Sequence, residues 1–316
     1  MSRRYFAYGS NLCAEQMAQR CPAAVAGEVV ELRDWRFVIN RRGVATMLPV
    51  VGARTLGLTW YLTEACEAAL DGFEGVATGH YRKTEIVAGE ASALVYLSAE
   101  DRQGFARDGY LSRIDAAAAR LGLPPIYRRE LASWGTLVSP MLAKRVMREY
   151  RLSRNGIHGP HHWTRVLENG LSLAALTPVA DAAVVELFAL LHDCRRIDED
   201  ADLGHGERAA EFVRRLVDQG VVALAPERLA VLCDACERHE YGDISDDPTI
   251  GCCWDADRLE LSRLGIRPRA EYLSTVAALD EALQAAAWQR GRKRELVVDF
   301  AERWAIARQR SDERQA

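Results

Sequence analysis

The sequence predicts two domains of different class, an α+β domain followed by an all-α domain. The first 137 residues contain short runs rich in Val, Leu, Ile, Tyr and Trp that are separated by Gly and Pro, a pattern typical of strands joined by turns. From about Pro140 apolar residues recur at helical spacing almost to the end. A chain of 316 residues is also too long for one ordinary core. We therefore place the domains at 1–137 and 138–290, followed by a tail at 291–316.

In the first domain, apolar runs and turn residues predict the elements. Strands are expected at 3–8, 27–40, 55–62, 80–87 and 93–97. Helices are expected at 13–20, 63–70 and 108–121. Thr63 suits an N-cap, and Pro124-Pro125 is a stop signal after the last of these helices.

In the second domain, the helical period predicts only helices. They are expected at 140–150, 161–175, 181–193, 206–219, 226–240, 255–264 and 272–290. The tail carries many charges of mixed sign, so we expect an exposed helix and a frayed end without an assigned function.

Composition narrows the function classes. The net charge of -4 disfavours a broad basic surface, so no nucleic-acid partner is expected. The apolar run near the start is too short for a signal peptide, and no run reaches membrane-spanning length, which predicts a cytoplasmic protein without a membrane partner. Cys233-x-x-Cys236 is followed by the adjacent pair Cys252-Cys253, whose spacing suits buried thiols better than zinc ligands. The oligomeric state is not indicated.

Six of the seven histidines lie in the second domain, and His192-Asp193 closes an apolar helix. Val185, Phe188 and His192 share one face, so His192 points towards the core. A buried carboxylate beside a buried imidazole is costly unless another charge compensates it. A divalent cation accepts both ligand types, which predicts a metal site here.

The sequence offers further candidate metal ligands both before and after His192-Asp193. His158 and His162 are spaced i, i+4, and Pro160 prefers a first helical turn, which favours His162. Downstream, Asp255 suits an N-cap, which leaves Asp257 facing inward; Asp255 stays the alternative ligand.

These candidate metal ligands and their neighbours resemble the motifs of a known family. His162-x-x-Arg165-Val166, Leu191-His192-Asp193 and Asp257-Arg258-Leu259, in this order, resemble the HD superfamily of metal-dependent phosphohydrolases over about 155–270. The resemblance implies a helical bundle, a divalent metal such as Mn, Fe or Mg, and a phosphate ester or nucleotide as substrate. The metal ligands that it implies are His162, His192, Asp193 and Asp257.

The resemblance leaves three points open. His205 and His239 fall where binuclear members place further ligands, so one or two metals are possible. Arg195 and Arg196 either bind substrate phosphate or form a solvated helix end. Arg196-Ile197 stands where the nucleotide-alarmone hydrolases of the superfamily carry an acidic pair, which argues against that substrate.

The first domain contains two segments that suggest chemistry. Tyr8-Gly9-Ser10-Asn11-Leu12 links the first strand to a helix, and such turns expose N–H groups that can bind an anion. Glu74 lies in a glycine-flanked loop after an apolar helix, where it is either an exposed acid or a reactive one.

With Leu70-Asp71, Gly75 and Gly79-x-Tyr81, these segments resemble the γ-glutamylcyclotransferase family over residues 3–133. The resemblance implies a mixed β-barrel with helices, and no cofactor. It implies that the turn of Tyr8, Gly9, Ser10, Asn11 and Leu12 binds the α-carboxylate of a γ-glutamyl compound. It also implies that Glu74 is the acid/base that releases 5-oxoproline.

Together the two resemblances predict a bifunctional enzyme, with cyclotransferase chemistry at Glu74 and metal-dependent phosphoester hydrolysis at His192-Asp193. In the alternative hypothesis only one domain is catalytic, and the other is a ligand-sensing regulatory module.

Overall fold

The computed structural model describes residues 2–294 and 296–306. The chain divides into two compact units, 1–135 and 136–316. No helix among the described residues is both long enough and apolar enough to cross a bilayer.

The first unit is built on a five-stranded sheet. Its strands are β1 (Arg3–Ala7), β2 (Val25–Ile39), β3 (Ala45–Leu62), β4 (Tyr81–Ala88) and β5 (Ala91–Ser98). They lie in the order β2-β3-β1-β5-β4, and only the β1–β5 pair is parallel. Among the described strands, β2 and β4 are edges. The mixed α+β class is therefore confirmed, and among the described strands no hydrogen-bonded pairing of β2 with β4 closes the sheet into the mixed β-barrel that the resemblance implied.

The β2–β3 hairpin is longer than the sequence indicates. The strands expected at 27–40 and 55–62 leave out 45–54, which contains Pro49 and Gly52. In the structure Pro49 pairs with Trp35 beside a register shift, outside the stretch of β3 that pairs with β1. Gly52 N–H donates to the Asp34 carboxylate at 2.8 Å, and Asp34 has a φ of 59°. The bulge accommodates both residues within the ladder.

The helices of the first unit are α1 (Ala14–Arg20), α2 (Glu64–Glu74), α3 (Tyr110–Arg120) and α4 (Pro125–Ala132). The Thr63 hydroxyl caps α2 by accepting from Cys66 N–H at 3.2 Å. This helix continues to Glu74 and ends at Gly75 (φ 66°), so Glu74 lies in a last helical turn and not in the predicted loop. The stop at Pro124-Pro125 is also the start of α4, which we missed, because proline is favoured at a first helical position.

The second unit contains helices and no strand among its described residues. The helices are α5 (Pro140–Glu149), α6 (Pro160–Leu176), α7 (Ala182–Leu191), α8 (His205–Asp218), α9 (Pro226–Arg238), α10 (Pro248–Glu260), α11 (Glu281–Lys293) and α12 (Val298–Arg303). α6, α7 and α10 contact one another and are almost entirely buried, so they form the core of this unit.

Three predicted elements differ from the structure. The helix expected at 272–290 begins only at Glu281, after two 3-10 turns, because the Asp280 carboxylate is its N-cap and accepts from Leu283 N–H at 2.8 Å. The helix expected at 255–264 begins at Pro248, because the Asp247 carboxylate is the N-cap and accepts from Thr249 N–H at 2.8 Å. In the predicted exposed tail, Phe300 and Trp304 are 2% and 1% exposed, so α12 packs into the core because it carries large apolar side chains. Residues 295 and 307–316 of that tail lie outside the described residues.

Glu186 lies in the middle of α7 and is fully buried. Its carboxylate accepts hydrogen bonds from the Thr136 hydroxyl at 2.7 Å and from Trp304 Nε1 at 3.2 Å. Burial raises the pKa of Glu186 from its ordinary 4.5 to about 7, although these two donors oppose the shift.

We expect Glu186 to make the stability of the protein pH-dependent. Because the folded pKa lies above the unfolded one, the native state binds the proton more tightly, and stability is lost as the pH rises from about 4.5 to about 7. Between pH 4.5 and pH 8 the free energy of unfolding of the wild type should fall by on the order of 3 kcal/mol because of Glu186, and Glu186→Gln should abolish this fall. Urea unfolding at both pH values measures it, and Glu227→Gln, at an exposed position of α9, is the control. An unchanged pH dependence in Glu186→Gln would contradict the assignment.

Candidate functional sites

The turn after β1 forms the floor of a cleft in the first unit. Ser10–Leu12 is a single 3-10 turn, and α1 follows it at Ala14 with Cys13 as the N-cap, close to the helix predicted from about residue 13. Gly9 is required for space, because a Cβ there would lie 3.3 Å from both Ala45 Cβ and the Tyr110 hydroxyl. Leu12 is 2% exposed and its N–H donates to Gly9 O at 3.0 Å, so it packs below the cleft rather than lining it.

Glu74 projects into this cleft and contacts the turn. Asn11 Nδ2 donates to Glu74 Oε1 at 3.1 Å and to the Tyr5 hydroxyl at 2.9 Å. Arg20, from the last turn of α1, donates to Asn11 Oδ1 at 3.0 Å and lies 3.5 Å from Glu74 Oε1. The structure therefore brings together the two sequence segments that carried the resemblance. The sequence did not assign a role to Arg20 or Tyr5, whose partners are distant in the chain.

Burial raises the pKa of Glu74 above its ordinary value, although Arg20, Asn11 and Arg42 act against the shift. A carboxyl with a raised pKa exchanges its proton more readily near neutral pH than an exposed glutamate does. Glu74 therefore has the chemical character of a general acid/base.

Tyrosines form the walls of the cleft. The aromatic residues that line it are Tyr5, Tyr8, Tyr81, Tyr96 and Tyr110. Two of their hydroxyls are held by the backbone of Ala45: Tyr81 donates to its carbonyl at 2.9 Å, and Tyr110 accepts from its N–H at 3.1 Å. Ser10 also lines the cleft, and its hydroxyl accepts from Gln16 Nε2 at 2.9 Å. The cleft thus has rigid aromatic walls and one carboxyl group.

A second cluster of polar groups is buried in the helical unit. His162 Nε2, from α6, lies 3.1 Å from His192 Nε2, at the end of α7. The same nitrogen lies 3.4 Å from Asp193 Oδ2 and 3.3 Å from Asp257 Oδ1, on α10. All four residues that we predicted as metal ligands therefore converge. His162, His192 and Asp193 form one group that could hold a metal ion.

The other oxygen of Asp193 faces a second group. Asp193 Oδ1 lies 3.2 Å from His205 Nε2 and 3.7 Å from His239 Nε2, and these two nitrogens are 2.9 Å apart. Asp193, His205 and His239 form a second group that could hold a metal ion. Asp193 thus stands between two sets of imidazoles, one at each carboxylate oxygen.

The four imidazoles are oriented alike. Each Nδ1 faces an oxygen acceptor: His162 faces Glu260 Oε2 at 2.8 Å, and the other three face carbonyls of Phe188, Asp202 and Cys236 at 2.7–3.1 Å. An Nδ1–H that donates to such an acceptor leaves the lone pair on Nε2. All four Nε2 atoms point to Asp193 or Asp257. The sequence did not reveal Glu260, because an acid at the end of a helix has no special signature.

The electrostatics of the cluster are strongly perturbed. Burial lowers the pKa of His192 to about 3, against the pull of Asp193 and Asp257. Burial also acts to lower the pKa of His162, but the surrounding carboxylates, led by Glu260, raise it to about 9. Burial opposes ionisation of Asp193, yet the adjacent histidines hold its pKa well below the usual range. With a pKa of about 9, His162 carries a proton near neutral pH, and a cation that binds here would displace it. The ionised carboxylates and the imidazoles freed of that proton suit a cation.

The remaining candidates lie at the edge of the cluster or away from it. Asp255 is inside α10 and accepts from Ser274 N–H, Thr275 N–H and the Thr275 hydroxyl, each at 2.8 Å, so it is not the predicted N-cap. Arg195 pairs with Glu149 at 2.8 Å. Arg196 Nη1 lies 3.7 Å from Asp193 Oδ1, so of the two arginines it is the one beside the cluster.

Comparisons with known proteins concern the N-terminal region. A bovine gamma-glutamylcyclotransferase is 33% identical over 92 residues, which are 26% of this chain and 49% of the bovine one, so the chain spans about half the length of this relative. A mouse gamma-glutamylcyclotransferase is 30% identical over 142 residues, 40% of this chain and 76% of the mouse one. A solved gamma-glutamyl cyclotransferase structure is 26% identical and covers 42% of this chain and 87% of its own, with a TM-score of 0.39.

No protein-family model matches the chain. The mouse relative is matched over most of its length, and the resemblance that we derived from the turn at Tyr8 and from Glu74 is to the same family. Through its N-terminal region, the chain belongs to the gamma-glutamylcyclotransferase family.

Proposed function

We propose that the first unit releases 5-oxoproline from γ-glutamyl amides, with Glu74 as the acid/base. The observation that carries this proposal is the contact of the buried Glu74 carboxyl with Asn11 in the turn after β1. The cleft beside them is lined by polar groups of the turn, by the Glu74 carboxyl and by five tyrosines, a combination that suits a γ-glutamyl group.

The reaction needs few groups because the substrate carries its own nucleophile. Glu74 takes a proton from the α-ammonium, and the resulting amine attacks the γ-carbonyl carbon to form a five-membered ring. The amide C–N bond then breaks as Glu74 returns this proton to the leaving nitrogen. The ring nitrogen loses its second proton, which leaves it as the lactam N–H, and the amine takes up a proton and leaves as an ammonium ion. The turn of Tyr8–Asn11 is the proposed binding site of the α-carboxylate. Binding there would hold the γ-glutamyl group of the substrate folded for ring closure. No cofactor takes part in these steps.

The test is incubation of the full chain with γ-glutamylalanine in the presence of EDTA. We expect 5-oxoproline and alanine in equal amounts, at a rate that the chelator does not change. Absence of both products with γ-glutamylalanine and with other γ-glutamyl amides would contradict the proposal.

Arg20 is expected to set the pH range of this reaction. Because its charge opposes the raised pKa of Glu74, loss of the charge should raise that pKa further. The base must be ionised to accept the proton, so in Arg20→Met the acid limb of the kcat/KM profile should move to higher pH. Arg20→Lys keeps the charge and should restore the limb. An unshifted limb in Arg20→Met would refute this role.

We also propose that the second unit is a metal-dependent phosphohydrolase of the HD type. The observation that carries this proposal is the position of Asp193, whose two oxygens face two separate pairs of histidines with inward-directed Nε2 atoms. The imidazole-rich set suits Fe or a similar transition metal better than Mg. His162, His192, Asp193 and Asp257 would hold one ion, and Asp193, His205 and His239 a second.

A bound divalent cation would supply a water of lowered pKa and would offset charge on the phosphoryl oxygens. In the net reaction water adds its hydroxyl to phosphorus, the P–O ester bond breaks, and the leaving oxygen takes the proton. Glu260 and the backbone acceptors orient the imidazoles for this purpose. Arg196, beside Asp193, is placed to bind a phosphoryl oxygen.

Metal analysis of the purified full chain tests the second proposal. We expect roughly two equivalents of divalent metal per chain, and hydrolysis of a phosphate ester that stops when the metal is removed. A chain that hydrolyses phosphate esters equally well after complete removal of metal would contradict it.

A further inference from the structure

A groove of about 380 Å³ opens beside the buried cluster in the second unit. Asp257 and His239 belong both to the cluster and to the lining of the groove. The Asp257 side chain is 19% exposed, whereas those of His162 and His192 are fully buried. The groove is therefore the side from which a small molecule reaches Asp257. Its volume is in the range of pockets that hold small organic ligands, about 300–1,000 Å³.

The wall opposite the cluster is apolar. Leu261, Ile266, Pro268 and Tyr272 line it, and Ile266 and Tyr272 are 50% and 43% exposed. Large apolar side chains that stay in water beside a polar centre are typical of a binding surface for an apolar group.

This wall is tied to the helix that carries Asp257. The next residue on α10, Arg258, is buried, and its guanidinium donates to the carbonyls of Tyr272 at 2.6 Å and Asp243 at 2.5 Å. The position of Tyr272 relative to Asp257 is thus held by hydrogen bonds of one side chain. A ligand that contacts both residues finds a preformed distance between them.

Three arginines, Arg258, Arg267 and Arg269, and two acids, Asp257 and Glu240, line the groove. Arg267 lies 4.3 Å from the ring of Trp288, and Arg269 pairs with Glu271 in an exposed ion pair that contributes little. Both acids face imidazoles: Asp257 lies 3.3 Å from His162 Nε2, and Glu240 lies 3.2 Å from His205 Nδ1. The arginines therefore favour an anionic ligand in the groove.

We propose that this groove binds the organic group of an aromatic phosphate monoester whose phosphate lies at Asp257. The aromatic ring packs on Ile266 and Tyr272, and Arg267 and Arg269 attract the negative charge. The inference rests on the proposed phosphohydrolase function and adds the class of ester: one with an aromatic ring, in preference to a small aliphatic one.

Phenyl phosphate and methyl phosphate test this inference, because they share the reacting group and differ in the ring. With Mn²⁺ and the full chain, we expect a KM for phenyl phosphate about 10-fold lower than for methyl phosphate. Tyr272→Ala should raise the KM for phenyl phosphate by about 10-fold, with little change in kcat or in the KM for methyl phosphate. Ile266→Ser is a second variant of the wall. Val276→Ala is the control, since Val276 is 87% exposed and does not line the groove.

Binding of phenylphosphonate and methylphosphonate, measured by calorimetry, tests the groove independently of hydrolysis. Tighter binding of phenylphosphonate that is lost in Tyr272→Ala supports the groove, even if neither ester is hydrolysed and the phosphohydrolase proposal fails. Equal KM values and equal binding of the two members of each pair would overturn the inference. So would a folded Tyr272→Ala or Ile266→Ser protein that keeps the full preference for the ring.

Discussion

Glu74→Gln should reduce 5-oxoproline release by about 10²–10⁴-fold, because the amide cannot take the proton from the α-ammonium or return it to the leaving amine. Glutamine has the shape of glutamate and can still accept from Asn11 Nδ2 through its carbonyl oxygen, so the turn after β1 should stay in place. The loss should therefore appear in kcat with a smaller change in KM. Steady-state measurement with γ-glutamylalanine gives both values.

Two controls separate this effect from a loss of folding. Glu64→Gln makes the same substitution at an exposed position of α2 and should keep full activity. The metal content and phosphate-ester hydrolysis of Glu74→Gln should equal those of the wild type, if both proposed activities exist. A Glu74→Gln protein with undiminished 5-oxoproline release would remove Glu74 from the mechanism.

Asp193→Asn is expected to have the largest effect in the second unit. The amide loses the negative charge that stands between the two histidine pairs, and only one of its two terminal atoms can be a ligand. Both metal groups should therefore weaken together, with phosphate-ester hydrolysis reduced at least about 100-fold. 5-Oxoproline release should not change.

Thermal unfolding with and without Mn²⁺ gives a second measure that does not depend on activity. Metal at about 100 times its dissociation constant should stabilise the wild type by about 2.7 kcal/mol for each ion bound, and Asp193→Asn by much less. Asp234→Asn, at a half-exposed position of α9, should respond like the wild type. Equal metal content in Asp193→Asn and the wild type would show that the cluster is not the metal site.

These two substitutions also distinguish the bifunctional enzyme from the alternative with one catalytic and one sensing domain. In a sensing first domain, a γ-glutamyl compound would bind at the cleft without turnover and would alter phosphate-ester hydrolysis. Glu74→Gln would then change regulation and leave no chemical rate to measure. Phosphate-ester hydrolysis with and without γ-glutamylalanine, measured beside 5-oxoproline release, distinguishes the two hypotheses.

The local patterns in the sequence predicted the class and order of most elements, although α4 was missed. Thr63 marks the start of α2 by the chemistry of its own side chain, so its effect could be predicted without neighbours, whereas the end of α2 at Gly75 was placed too early, at residue 70. Pro49 and Gly52 lie in the part of β3 that was not predicted, and the bulge that accommodates them is formed with Trp35 and Asp34 of the paired strand. A prediction that considers residues one at a time cannot take account of a neighbour that only the fold brings beside them.

The same division holds at the two sites. The sequence by itself determined the residue types that carry chemistry: a glycine turn, Glu74, and an ordered set of histidines and aspartates. Only the tertiary structure decided that Asp255 caps a loop while Asp257 reaches His162, that Arg20 moderates Glu74, and that Asp193 faces imidazoles on both sides. The physical reason is distance. Hydrogen bonds and charges act over a few ångströms in space, and these partners are separated by up to 95 positions in the chain.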